Sequence, residues 1–268
     1  MSDKTIYLDT FALTAIATDS SLMWAVIKYI RDNSYVLIVG IMNLMELYTW
    51  PKRWSEVSEF ISSVPFCIAQ NPENILELEI QNYPNEIELP TNFCSSEHSF
   101  SQVELKGAIE INLKHKIAVF EGNYRKQYED ILNSILSDRK NYPPDENGKY
   151  SAAGKLIFMQ INVLKFLFPS HHAFVAEQKV KPPLIKIECF KSAYIQALII
   201  FLEYYVQKKQ GKPSDIGDIY QQAIIPYVDL AIIDNERNDL FHRINRDEPF
   251  QGKLNTWTLS QFKKAVIP

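Results

Sequence analysis

The five residues at 35–39, Tyr-Val-Leu-Ile-Val, are continuously apolar, rich in β-branched side chains and closed by Gly40. A strand with one face in water alternates apolar and polar residues, whereas a strand covered on both faces does not. This run therefore predicts a central parallel strand, which requires neighbouring strands and crossover connections. Ile6-Tyr7-Leu8, closed by Asp9-Thr10, reads as a first buried strand, 66–69 as a third, Leu230–Ile233 as a fourth and 254–258 as a last. Helical spacing fills the gaps at 11–17 and at 22–31, with Ser20-Ser21 offered as an N-cap. It continues at 43–50, where Pro51 interrupts the helix or begins the next, and then at 54–62, 236–244 and from Ser260 onward. Strand and helix in alternation give an α/β fold of three layers, a central parallel sheet between helices joined by right-handed crossovers.

Between these segments the character changes. Residues 71–92 are acidic and mixed, punctuated by Pro72, Pro84 and Pro90, and helical spacing runs through 100–118, 124–139, 152–168 and 187–207. Loops fall at 141–148 and 179–183. The organisation expected is a core of 1–70 and 212–268 interrupted by a mostly helical insertion at 71–211.

A net charge of −4, from 28 basic and 32 acidic residues, argues against holding nucleic acid by charge alone. It leaves room for an enzyme with an acidic metal pocket. Cys67, Cys94 and Cys189 are odd in number, widely spaced and without a C-x-x-C pair. Free thiols in a reducing compartment are the expectation, rather than a disulfide framework or a zinc site. No apolar stretch follows a basic start at the N-terminus, and the most apolar segment, 193–206, is too short to span a bilayer and is interrupted by Gln196 and Glu203. The cytoplasm is the expected compartment, with no membrane partner. No phosphate-cradling glycine motif or nucleophile elbow occurs, and His171-His172 reads as a surface or structural pair.

The carboxylates carry more information. Ligands of a parallel α/β sheet bind outside the C-terminal ends of the strands. Asp9 and Asp234 each follow a short apolar strand directly, and Glu46 lies one turn into the helix after the second strand. All three should face one rim. Asp215 and Asp218, three apart at the start of a helix, are further acids for that volume, or caps of their own helix. Asp229 precedes its strand and should lie at the opposite rim. Carboxylates crowded together repel, and a hard divalent cation, Mg²⁺ or Mn²⁺, removes that cost.

In this order the residues resemble a PIN-like nuclease, the fold of many bacterial toxin ribonucleases. The similarity rests on Ile6-Tyr7-Leu8-Asp9-Thr10, on Glu46-Leu47, on Ser214-Asp215-Ile216-Gly217-Asp218, on Ile225-Pro226-Tyr227-Val228-Asp229-Leu230, and on Ile233-Asp234. It covers about 1–70 and 212–268. The resemblance implies phosphodiester hydrolysis with Asp9, Glu46, Asp218 and Asp234 as metal-binding acids and Asp215 as competitor or helper for Asp218. It implies an RNA substrate and a toxin or anti-phage effector role with an inhibitory protein partner. The chain departs from the pattern at Ile232, where a hydroxyl residue is often found, and in the length of the insertion.

Substrate contacts would come from basic and aromatic side chains. Arg237 and Arg243, with Arg246, follow Asp234 closely. Lys114, Lys116, Arg125, Lys126, Arg139, Lys140, Lys179, Lys181, Lys186 and Lys191 stud the insertion, interleaved with Tyr124, Tyr128 and Tyr142, which could stack on unpaired bases. Two other readings stand beside the ribonuclease: DNA cleavage by the same acids, and a catalytically inactive PIN-like module that binds RNA or protein. The insertion would serve substrate selection, partner docking or dimerisation.

Overall fold

A computed structural model of the chain describes residues 4–95, 125–146, 149–167, 185–247 and 254–267. In chain order the elements are β1 (Lys4–Leu8), α1 (Thr10–Ala17), α2 (Ser20–Asp32), β2 (Tyr35–Gly40), α3 (Ile41–Tyr48), α4 (Pro51–Ser62), β3 (Phe66–Ala69), α5 (Pro72–Asn82), β4 (Thr91–Ser95), α6 (Arg125–Asp138), α7 (Ala152–Leu167), α8 (Lys191–Ile200), α9 (Pro213–Gln221), β5 (Leu230–Ile233), α10 (Asn235–Asp247), β6 (Thr256–Thr258) and α11 (Leu259–Val266).

The strands form one sheet in the order β4-β3-β2-β1-β5-β6. Every pairing is parallel except β3 with β4, so a five-stranded parallel sheet carries one antiparallel edge. With helices flanking it, this is the expected three-layer α/β architecture. The apolar run at 35–39 lies between β1 and β3, where both faces are covered: Leu37, Ile38 and Val39 are fully buried, as are Ile6, Leu8 and Ile232. α1 packs with α3 and α4, while α2 packs on β2 and α11.

Gly40 closes β2 because the side chain of Asn43 comes back over it. A β-carbon at Gly40 would sit 2.2 Å from the Asn43 Oδ1, a clash that only a backbone without one avoids.

Several local expectations change. α2 begins at Ser20, not Leu22, and its cap is Asp19, whose carboxylate accepts from the Leu22 N–H and the Ser21 hydroxyl. Pro51 begins a helix, where its missing N–H costs nothing. α5 and β4 were not expected, since 72–95 shows no apolar run long enough to announce them. The expected helix over 187–207 resolves into a 3₁₀ turn (Ile187–Cys189), α8 and a π-helical stretch (Phe201–Val206). The expected helix at 100–118, the loop at 179–183 and His171-His172 lie outside the described residues.

The free-thiol expectation fails for two of the three cysteines. Cys67 on β3 is the direct antiparallel partner of Cys94 on β4, and the two are joined as a disulfide. Only the strand register brings residues 27 apart face to face, and spacing in the chain could not foretell it. Cys189 is a buried free thiol, as expected; burial, chiefly, pushes its pKa up.

The chain divides into two compact units. Among the described residues, the first holds 4–71, 89–95 and 227–267, and the second holds 72–88 and 125–226. The boundary expected at 212 falls instead at Tyr227, because α9 packs on α6 and α8 of the helical unit. Among the described residues no single helix is long and apolar enough to cross a membrane.

Candidate functional site

β1 and β5 are adjacent and parallel, with Leu8 opposite Ile232. The residues that follow each strand therefore emerge side by side. The Asp9 N–H extends the ladder by one bond, to the Ile232 carbonyl at 3.1 Å. Asp9 and Asp234, 225 positions apart, are then in direct contact: the Asp234 N–H donates to the Asp9 Oδ2 at 3.1 Å. Asp229 lies at the other end of the same strands, as expected, where its carboxylate accepts from the Thr5 N–H at 2.7 Å and the Thr5 hydroxyl at 2.9 Å.

Both rim acids are also helix caps. The Asp9 Oδ1 accepts from the Ala12 N–H at 2.7 Å at the start of α1, and the Asp234 Oδ1 accepts from the Arg237 N–H at 2.9 Å at the start of α10. Each satisfies an N–H that has no partner within its helix. Among the described residues no hydrogen bond falls on the other Asp234 oxygen. Two helix N-termini meet at this rim, and their partial positive charge favours anions there.

Glu46 reaches the same rim through a buried relay. The Tyr7 hydroxyl donates to the Asn43 Oδ1 at 3.1 Å, the Asn43 amide donates to the Thr10 Oγ1 at 2.9 Å, and the Thr10 hydroxyl donates to the Glu46 Oε2 at 2.9 Å. Every donation points the same way, so each bond polarises the next toward the exposed carboxylate. Tyr7 and Asn43 are almost wholly buried. Sequence reading missed all three relay residues. The available signals were Thr10, adjacent to an acid, and Asn43, three before Glu46 and so on the same helix face. Ile232 is fully buried within β5, and Thr10 places a hydroxyl at this rim.

Asp215 and Asp218 belong to the second unit. Asp215, at the third position of α9, is buried; its Oδ2 accepts from the Lys212 N–H at 3.2 Å and lies 3.4 Å from the Lys209 ammonium. That ammonium is also 3.6 Å from the buried Glu203. Asp215 is thus a neutralised interior acid within its own unit, while Asp218 is exposed. Among the described residues no three His, Cys, Asp or Glu side chains converge as a ready-made cation cage. Asp9 and Asp234 are nonetheless the right kind of donors for Mg²⁺ or Mn²⁺: two partly exposed carboxylates, all oxygen, on residues joined by a backbone-to-side-chain hydrogen bond.

Of the basic residues expected to meet substrate, Arg237 is 5% exposed and Arg243 half-buried. The Arg237 guanidinium is thus withdrawn from solvent, while Arg246 is exposed. In the second unit Lys126, Lys140 and Lys186 are exposed, the Arg139 guanidinium donates to the Lys209 carbonyl, and Lys191 pairs with Glu86 at 2.6 Å. Tyr128 is buried and stacks on Tyr220, and Tyr142 packs edge-on against Phe158 and Tyr205. Those two rings are packing residues rather than open platforms. Lys114, Lys116, Tyr124, Lys179, Lys181 and the Arg125 side chain lie outside the described residues. An aromatic that sequence reading passed over is Phe11, 59% exposed in the first turn of α1, two residues after Asp9.

The chain matches no known protein family, no curated protein and no solved structure.

Proposed function

We propose that the rim at Asp9, Glu46 and Asp234 is the active site of a PIN-like, divalent-cation-dependent ribonuclease. The observation that carries this reading is the contact between Asp9 and Asp234 at the C-terminal ends of adjacent parallel strands. Asp9 and Asp234 would hold Mg²⁺ or Mn²⁺ directly, with Glu46 acting directly or through water, and the ion would supply charge stabilisation at the phosphate and a more acidic water. The protein's own groups do the rest. Tyr7, Asn43 and Thr10 hold Glu46 in one orientation. The N-termini of α1 and α10 favour a phosphate at the rim, Arg243 and Arg246 lie on α10 to meet the backbone, and Phe11 offers a face for an unpaired base.

The test is cleavage of end-labelled single-stranded RNA, with single-stranded DNA in parallel, in Mn²⁺ or Mg²⁺. Asp9→Asn and Asp234→Asn should each lower the rate by about 100-fold or more, the scale of losing one charge-stabilising group. Asp218→Asn decides whether the exposed acid of α9 belongs to the set, and Asp215→Asn should leave cleavage near native. Equal rates for the native chain and both rim variants would end the enzymatic reading. Because no three acids converge among the described residues, a second reading is a PIN-like module that binds RNA or protein without cutting. RNA retained by the native chain with no metal-dependent cleavage would favour it.

A further inference from the structure

The helical unit contains a cavity of about 630 Å³, open to solvent on one side and walled by α6, α7, α9 and the junction of α8 with the π-helical stretch. That volume lies within the range of small-molecule sites. Its body is apolar and aromatic. Ile131 and Ile135 come from α6, Ile200 from the last residue of α8, and Phe166 and Tyr220 meet edge to face with centroids 6.1 Å apart. The π-helical stretch begins immediately after Ile200 and carries Tyr205 into the wall. A turn wound this way costs helix geometry and occurs disproportionately where a helix shapes a functional site.

The polar groups narrow the class of ligand. Lys165 on α7 is salt-bridged to Asp138 on α6, and Lys126 stands one turn before Asp130 on the same face of α6. The lining thus carries two ammoniums and two carboxylates, so the mouth offers an incoming anion no net positive charge. Deeper in, Asn162 is 6% exposed; its amide donates to the Phe158 carbonyl at 2.9 Å and its own carbonyl remains an acceptor. Ser134 and Tyr205 add hydroxyls, and the Tyr205 phenol, pushed up chiefly by burial and also by Asp138, stays neutral.

We propose that this cavity binds an uncharged heteroaromatic molecule of nucleoside size, its ring against Phe166 and Tyr220 and its donor–acceptor edge toward Asn162 and Ser134. The site is lined wholly by residues of the helical unit. Its occupant would be a free small molecule rather than the polyanionic substrate.

The full chain is titrated, without divalent metal, with adenosine and with guanosine by calorimetry and thermal shift, and with the corresponding monophosphates. At least one nucleoside should bind saturably and raise Tm, with its monophosphate no tighter. Ser134→Trp, placed at an exposed position of α6, fills the cavity and should weaken that binding at least about tenfold with an unchanged unliganded Tm. If that variant loses helical signal, Asn162→Leu replaces it with the same expected loss of affinity. Absence of saturable binding by both nucleosides, tighter binding of the monophosphate, or undiminished binding by the folded variant would each overturn the assignment. None of these outcomes depends on whether the rim cleaves RNA.

Discussion

Acids at helix starts do opposite work in the two units. At the rim of the sheet, the Asp9 and Asp234 carboxylates accept backbone N–H groups and stay partly exposed. In the helical unit, Asp215 at the start of α9 is buried and shares the Lys209 ammonium with Glu203. A backbone dipole holds a carboxylate in place without cancelling its charge, whereas an ammonium at 3.4 Å does both. The difference teaches that position at a helix start does not make an acid available for a cation. For Asp215 local counter-charge decides.

Removing that counter-charge is the most disruptive way to break the contrast. Lys209→Met leaves Glu203 and Asp215 in the interior of the helical unit without their shared cation. Uncompensated buried charge is costly, and partial exposure of the lysine tempers the loss to about 3 kcal/mol. Urea denaturation should show the full decrease, while Lys209→Arg, which keeps the charge, should lose much less. A midpoint for Lys209→Met equal to the native one would mean that the lysine does not hold these acids, and the contrast would fail.

Smaller and more local is Tyr7→Phe. It removes the hydroxyl at the head of the relay and with it a buried hydrogen bond to the Asn43 carbonyl, at a cost of about 1 to 2 kcal/mol. The structure around Gly40 makes escape difficult, because Asn43 is already packed over it. The same variant should lower RNA cleavage modestly, through looser positioning of Glu46 rather than loss of a cation ligand. Unchanged stability together with unchanged cleavage would show that the relay does not position Glu46.

What could be read from the chain follows the range of the interaction concerned. The uninterrupted apolar run at 35–39 announced β2 and with it the parallel sheet, because double-sided burial leaves a mark on every residue of a strand. Asp9 and Asp234 were legible for the same reason: each closes such a run, so the sheet carries both to one rim. β4 left no mark, being an edge strand of mixed residues, and the Cys67–Cys94 pair follows from its register alone. The fate of Asp215 was likewise invisible, since Glu203 and Lys209 approach it through packing in the helical unit and not through any motif. Tyr7 and Asn43 read as ordinary core and helix residues until the backbone brought them within hydrogen-bond distance.

Asp19 supplies the mildest test, because it is an N-cap like Asp9 whose side-chain hydrogen bonds are all local. Its carboxylate accepts from the Leu22 N–H at 3.1 Å and the Ser21 hydroxyl at 2.8 Å, and those bonds, the backbone one foremost, hold its pKa below the ordinary 3.8. A carboxyl whose folded pKa is depressed stabilises the fold above its unfolded pKa and loses that contribution as pH falls through the folded one. Asp19→Asn should therefore be slightly less stable than the native chain at neutral pH, with the gap closing as the pH drops below 3.8. Because the group is fully exposed and its hydrogen-bond partners lie within three residues, RNA cleavage should not change at all. Paired urea titrations at neutral and acidic pH would show the closing gap. A cleavage defect as large as that of Asp9→Asn would mean that capping alone, and not the meeting of two strand ends, accounts for the importance of Asp9.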